Sequence, residues 1–415
     1  MKFIIKLLII TLLIIPFNSI FAGRVIIVHN SSKGIKLKEI IENAENGDEI
    51  IIKPGIYKVD NIIITKSIKI IGENFPTIEG NKKDEIFTIK SNNVHVKGLK
   101  ILNSGVSYLQ ENAAIRLEEV SGCLVEDNIL DNNFFGIYVA KSFNCVIRGN
   151  KIRARNTLET NSGNGIHLWY SKAITISNNE IIGHRDGIYF EFVMHSLVEN
   201  NYSAKNIRYG LHFMFSDSCA YVNNVFENNG AGVAVMYTKN VTMKKNKFIN
   251  NWGAASFGVL LKDLTNCLIT ENLFKYNTNG LYLEGCSKIT VSKNDFVRNG
   301  WGIKLMANSM NNYFFDNNFI TNTLDVMTNS RNNYNCFSRN FWSEYNGYDI
   351  DNDGFGDVPY RPVKMFSVLV EKQQASLILI HSLFIELLNF AESIIPSITP
   401  IDLIDTKPRM KVFLW

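Results

Sequence analysis

Two methionines and a histidine, His212, Met214 and Met236, stand in this 415-residue chain where one repeat unit separates the two sulfurs. Thioethers and imidazole are soft ligands that suit Cu(I). The competing use is packing: unbranched Met fits irregular surfaces beneath a loop or a partner. Met194 and His195 form a second, weaker pair of the same kind. A hard-ligand candidate lies further on, in Asp349-Ile-Asp351-Asn-Asp353-Gly354-Phe-Gly-Asp357. Carboxylates at positions one, three, five and nine, with Gly at six, follow a calcium loop. The bidentate Glu of position twelve is missing, and Tyr360 stands there. A calcium-bound loop and a hydrogen-bonded turn that ends the domain both satisfy this pattern.

The elements that must position these residues are written in a repeat. Small residues at Ala114, Gly136, Gly165, Gly187, Gly210, Gly232, Gly258, Gly280 and Gly302 recur mostly every 22 or 23 residues. The steps from Gly136 to Gly165 and from Gly232 to Gly258 carry insertions. Apolar residues follow each anchor at offsets one, three, nine, eleven and sixteen. Spacing by two means strands, and a fixed period of this length means a solenoid. Three short strands per unit cannot bury their inner faces alone, but they can when stacked in parallel. The expected fold is all-β, a right-handed parallel β-helix with coils of about 22 residues, since parallel crossovers are nearly always right-handed. Asn falls fourteen residues after eight anchors: 128, 150, 179, 201, 224, 246, 272 and 294. After Gly302 that position is Asp316, with Asn317 next. An inward Asn at a turn can bond its equivalents above and below and satisfy backbone groups that are otherwise buried unpaired.

Offsets two and four point outward onto one long face. Offset two reads Arg116, Tyr138, His167, Tyr189, His212, Ala234, Leu260, Tyr282 and Lys304. Offset four brings Met214 and Met236 into adjacent coils and places His212 beside Met214 in solvent. Acidic residues on this face are spread out. Glu191 and Glu284 lie four coils apart, about 19 Å at roughly 4.8 Å per coil. Paired carboxylates for glycoside hydrolysis stand closer than that. Asp186 and Glu191 share a coil, so a carbohydrate-active enzyme (a polysaccharide lyase or glycosidase) stays as one alternative and a structural surface solenoid as another.

Residues 1–22 read as a signal peptide: Lys2 and Lys6, the apolar run Leu7 to Ile15, Pro16, and a cut after Ala22. Export to the periplasm follows. A net charge of +4 is too small and too evenly spread to suggest nucleic acid. Cys123, Cys145, Cys219 and Cys267 share offset nine, an inward position. In-register side chains stay near 4.8 Å apart, too far for a disulfide, so these four read as core fillers. Cys286 and Cys336 are off that register. Residues 23–47 are expected to cap the open end of the coils with a helix over Gly34 to Asn46, and the β-helix to run over 48–345. An Asp-rich closing segment, 346–366, and a helical tail, 367–415, follow. From Gln373 to Ile395 the tail is apolar nearly all round, more than one coil end covers, and Pro396 and Pro400 end it. Lys407, Arg409 and Lys411 then suit an acidic or headgroup surface. A protein partner near a membrane is the expectation.

The run from Asn340-Phe-Trp342 through Asp349, Asp351, Asp353 and Asp357 to Pro359-Tyr360-Arg361-Pro362 resembles the segment that closes the repeats in the NosD family of nitrous oxide reductase maturation proteins. So do Arg208 to Ser216, Gly232 to Tyr237, and the tail from Pro396 to Met410. The resemblance covers residues 185 to 415. It implies an exported protein, not itself an enzyme, seated on an ABC transporter with a membrane permease and a cytoplasmic ATPase. Such proteins are implied to serve assembly of the reductase's copper–sulfur centre, taking copper from a small lipoprotein chaperone. His212, Met214 and Met236 lie within the resembling segment.

Overall fold

Every pair of strands among the described residues is parallel, and each joins one coil to the next in register, as in Leu211 with Val233 and Phe213 with Val235. The structure is a computed structural model that describes residues 23–30, 36–107, 110–155, 158–395, 398–399 and 401–414. The expected signal peptide, residues 1–22, lies outside the described residues, as do Pro396 and Pro400 of the tail. Three parallel sheets of 12, 14 and 13 strands form the walls of a β-helix. The first sheet carries the anchor strands, such as Phe135–Ala140; the second carries Val146–Arg148 and its equivalents; the third carries Lys151–Arg153 and its equivalents.

The anchors are small because coils approach closely there. A Cβ on Gly210 would lie 2.7 Å from the Gly232 carbonyl oxygen and 2.9 Å from the Phe226 ring. The expected core offsets are inward: Ile137, Val139, Cys145, Ile147 and Ile152 are fully buried. At offset sixteen, and seventeen in the last two coils, Phe226, Phe248, Phe274, Phe296, Phe319 and Trp342 form one continuous ring stack. The cysteines are free, and Cys336 alone of the six is exposed. Cys286 belongs to a column of its own with Ser216 and Thr238, at the turn after the first strand, where its N–H bonds the Ser309 hydroxyl.

The Asn column is inward and continuous. The Asn224 Oδ1 accepts from the Asn201 backbone N–H at 2.9 Å and from its Nδ2 at 3.0 Å, and the same pair of bonds links each coil to the next. Near its end the column uses Asn317 rather than Asp316, then Asn340, and it terminates on Asp405. A second column, absent from the expectations, runs through Asn206, Asn229, Asn251, Asn277, Asn299 and Asn322. These residues stand nineteen or twenty positions after their anchors, so a count at that offset would have found them.

Both ends differ from expectation. The helix α1 (Leu37–Glu42) buries Leu37 and Ile41 at the N-terminal end, as a cap must. However, a strand before it, Val25–Val28, already pairs with Glu49–Ile52 and forms the first rung of the second sheet. At the other end the tail is not one helix. It comprises α2 (Met365–Lys372), a 3-10 turn over Gln374–Leu379, and α3 (Leu383–Ile394). Phe366, Val370 and Ile385 pack on Trp301, Leu324 and Met327, against the outer side of the last strands of the first sheet. The chain then returns over the final coil, burying Ile401 and Leu403 and bridging Asp405 to Phe337 and Arg409 to Phe341. Arg409, expected to face a partner, instead stacks on Phe355 and Phe413. The last coil therefore needs this return segment as its lid.

Candidate functional site

The strands Tyr209–Met214 and Ala231–Met236 pair so that His212 faces Ala234 and Met214 faces Met236. A strand spacing of about 4.8 Å sets the two thioethers side by side. Both Met side chains are half-buried. The column continues to Glu191 on one side and Lys262 on the other. The Tyr189 hydroxyl donates to the Met214 sulfur at 3.5 Å, which orients that thioether.

His212 does not stand in solvent; it is only 4% exposed. Its ring lies between Tyr189 and Tyr209, with centroids 4.9 and 4.8 Å away. Arg208 sits over Tyr209 and is held by Glu159, 3.4 Å away, from the insertion between Gly136 and Gly165. The irregular coil thus supplies the cover that a bare solenoid face lacks. The His212 Nδ1 lies 3.4 Å from an Arg208 terminal nitrogen and 4.0 Å from Asp186. Asp186 is fully buried and flanked by Arg208 at 3.3 Å and Arg185 at 3.7 Å. The His212 Nε2 is buried without a hydrogen-bond partner. The guanidinium can only donate, so Nδ1 is the acceptor in its contact with Arg208, and a metal at Nε2 needs the ring proton moved to Nδ1, toward the Asp186 carboxylate, whose oxygens have no hydrogen-bond partner. Arg208 and Tyr189 were not anticipated as site residues, and the off-period insertion was the available signal.

Tyr138, His167, Tyr189 and His212 form a row of rings 4.6, 4.7 and 4.9 Å apart. Burial holds His167 at about 3 and His184 at about 4, so both imidazoles are neutral at physiological pH. Burial also pushes the Tyr189 phenol up to about 12. Met194 is exposed at a turn aligned with Lys172 and Asp217, away from the Met214 column.

One residue beyond the Met column runs an exposed ladder of rings: Tyr170, Phe192, Phe215 and Tyr237. Centroid spacings are 4.6, 5.1 and 5.1 Å. All four backbones are left-handed, with φ between 47° and 56°. The same turn takes Lys141 before and Asp263 after the ladder, so the backbone does not require rings. Stacking contributes about 0.5–1.5 kcal/mol per pair.

On the same sheet, a hollow of about 340 Å³ is lined by Glu111, Glu118, Glu119, Glu191, Arg116 and Trp169 among others. The register places Glu118 and Glu191 in one column, and Glu111 enters from the segment ahead of the strand Ala113–Glu118. Glu118 pairs with Lys90 at 3.0 Å and Glu119 with Lys141 at 3.1 Å. Glu118 and Glu191 stand three coils apart, about 14 Å at roughly 4.8 Å per coil, beyond the separation that glycoside hydrolysis uses.

In the closing segment, Asp349, Asp351 and Asp353 bring one oxygen each within 4.8 Å of one another. Asp357 stands apart from them and accepts the Ile350 N–H at 2.7 Å. Asp349 accepts the N–H groups of Asp353 and Gly354 at 3.1 and 2.9 Å, so the loop also satisfies itself as a hydrogen-bonded turn.

Fold and site together define a right-handed parallel β-helix with a half-buried thioether pair and a covered imidazole on one outer face. Residues 18–173 match the family described as "Right handed beta helix region", and residues 152–350 match "Periplasmic copper-binding protein (NosD)". A protein of Pseudomonas aeruginosa named "Probable ABC transporter binding protein NosD" is 26% identical over 371 residues, spanning 85% of this chain and 86% of that one. A protein of the same name from Stutzerimonas stutzeri is 32% identical over 114 residues, 27% of this chain and 26% of that one. Among solved structures, the A-module of mannuronan C-5 epimerase AlgE6 from Azotobacter vinelandii superposes with a TM-score of 0.54 at 16% identity, covering 73% of this chain and 86% of that one. That likeness is one of fold. Over the matched spans the chain is similar to NosD proteins.

Proposed function

We propose that this protein is an exported, periplasmic copper-handling component of an ABC transporter complex that serves assembly of the copper–sulfur centre of nitrous oxide reductase. It is a binding protein rather than an enzyme, and it receives copper from a small lipoprotein chaperone. The observation that carries the reading is the in-register pairing of Met214 with Met236, beside an imidazole whose Nε2 is unpartnered. All three residues fall inside the segment similar to the copper-binding family. Two thioethers and an imidazole offer Cu(I) three soft donors without redox change. Competition titration against a chromophoric Cu(I) chelator tests it. The Met214→Leu, Met236→Leu double variant, which keeps side-chain volume, is expected to weaken Cu(I) binding at least a hundredfold. Unchanged affinity in the folded double variant refutes the site.

The transporter contact is proposed on α3. Leu383, Phe384, Leu387, Phe390 and Ile394 are all exposed on this helix, while Ile385 anchors it to the solenoid. An exposed apolar face of this kind suits the periplasmic side of a permease. Truncating the tail does not test this cleanly, because the return segment closes the last coil. Phe384→Glu with Leu387→Glu leaves that segment in place and is expected to abolish co-purification with the permease. Retention at the wild-type yield removes the assignment.

A further inference from the structure

We propose that the exposed ring ladder Tyr170, Phe192, Phe215 and Tyr237 is the docking surface for a protein that carries Cu(I), placed so that its metal meets Met214 and Met236. This rests on the copper reading above. Met214 and Met236 are each followed directly by a ladder residue, Phe215 and Tyr237. The ladder therefore forms the rim of the thioether pair along the solenoid axis. Its rings are between 36% and 54% exposed, although neighbouring coils fill the same turn with Glu119, Lys141 and Asp263. Solenoid geometry does not account for four large rings held in water.

Three features select a protein as the occupant. First, Phe192, Phe215 and Tyr237 lie nearly parallel, with interplanar angles of 9° and 14°, so their faces cover one another and their edges face out. A sugar stacks on open ring faces, and the inner members of this ladder offer none. Second, the charged rim carries both signs, with Glu119 next to Lys141 at one end and Asp217 next to Lys239 alongside. An anionic lipid surface selects clustered cations, and this rim is balanced instead. Third, a flat apolar strip with a charge-balanced rim is the composition of a transient protein interface. Cu(I) then passes by ligand exchange. A donor sulfur or nitrogen on the partner leaves the ion as a Met thioether binds it, with no change of oxidation state. Such an exchange needs both ligand sets within bonding range at once, which a docking rim provides.

The test uses the full mature protein, with Cu(I)-bicinchoninate as the small-molecule donor and the Cu(I)-loaded lipoprotein chaperone as the protein donor. The variant Phe192→Glu, Phe215→Lys copies the pair that Glu119 and Lys141 make in adjacent coils, 3.1 Å apart, so the turn accepts it. Uptake from bicinchoninate is expected to match wild type, while transfer from the chaperone, followed by stopped flow, slows at least tenfold. Equal transfer rates for variant and wild type from the chaperone overturn the proposal. If wild type takes no Cu(I) from bicinchoninate, the copper reading fails separately. The ladder is then judged by biolayer interferometry with the metal-free chaperone: tenfold weaker binding of the variant supports it, and equal binding overturns it.

Discussion

Asp405 offers the sharpest test of how the solenoid is closed. It comes from the chain's return segment, yet its Oδ2 accepts the Asn340 backbone N–H at 3.0 Å, the Asn340 Nδ2 at 2.9 Å and the Trp342 indole N–H at 3.0 Å. Its Oδ1 takes the N–H groups of Arg339 and Lys407, both at 3.1 Å. Asp405→Ala removes every one of these acceptors at a site with no exposure. Each buried donor left unpaired costs about 1–3 kcal/mol. Counting only the two donors of Asn340 and the Trp342 indole, and allowing water to reach one of them, the expected loss is about 4 kcal/mol. That is a large part of the roughly 5–15 kcal/mol that holds a domain folded. Asp405→Asn keeps one acceptor oxygen and should cost about half as much. Urea denaturation followed by circular dichroism in the β band measures both variants. A loss below about 1 kcal/mol for Asp405→Ala would refute the argument that the returning chain satisfies the end of the Asn column.

Asn251→Val interrupts the second Asn column, leaving the Asn229 N–H and the Phe226 carbonyl unpaired, and should cost about 3 kcal/mol; a loss under about 1 kcal/mol in the same denaturation experiment assigns that column no structural weight. Burial raises the Asp325 carboxyl to about 7, so its contribution to stability is complete below about pH 4 and is lost as pH rises through 7. Asp325→Asn should therefore gain on wild type in melting temperature between pH 5 and pH 8, and a pH-independent difference contradicts this. If the Asp349, Asp351 and Asp353 carboxylates hold calcium at the millimolar affinity of extracellular sites, 10 mM Ca²⁺ stabilises the protein by about 1.4 kcal/mol. The melting temperature should rise in wild type and not in Asp351→Asn, and identical melting curves with and without the ion exclude the site. No cleavage of alginate or polygalacturonate is expected; turnover abolished by Glu191→Gln would restore the enzyme alternative.

The coil architecture was legible because its code is local and periodic. Once one strand pairs in register, residues at offsets one, three, nine, eleven and sixteen are inward in every coil. The same register sets Met214 against Met236 without further information. The Asn column followed for the same reason, and the second column obeys the same arithmetic at another offset. What breaks the period was not legible. His212 is buried because Glu159, in an off-period insertion, holds Arg208 over its neighbour Tyr209. Glu111 joins the acidic hollow from outside the strand register. The tail shows the limit most plainly. Its apolar composition announces helices, but Asp405 meets Asn340 and Trp342 across 65 and 63 residues of chain. No residue spacing encodes that meeting. It arises because the last coil exposes unpaired backbone and side-chain donors, and only the folded path of the chain determines which distant carboxylate satisfies them.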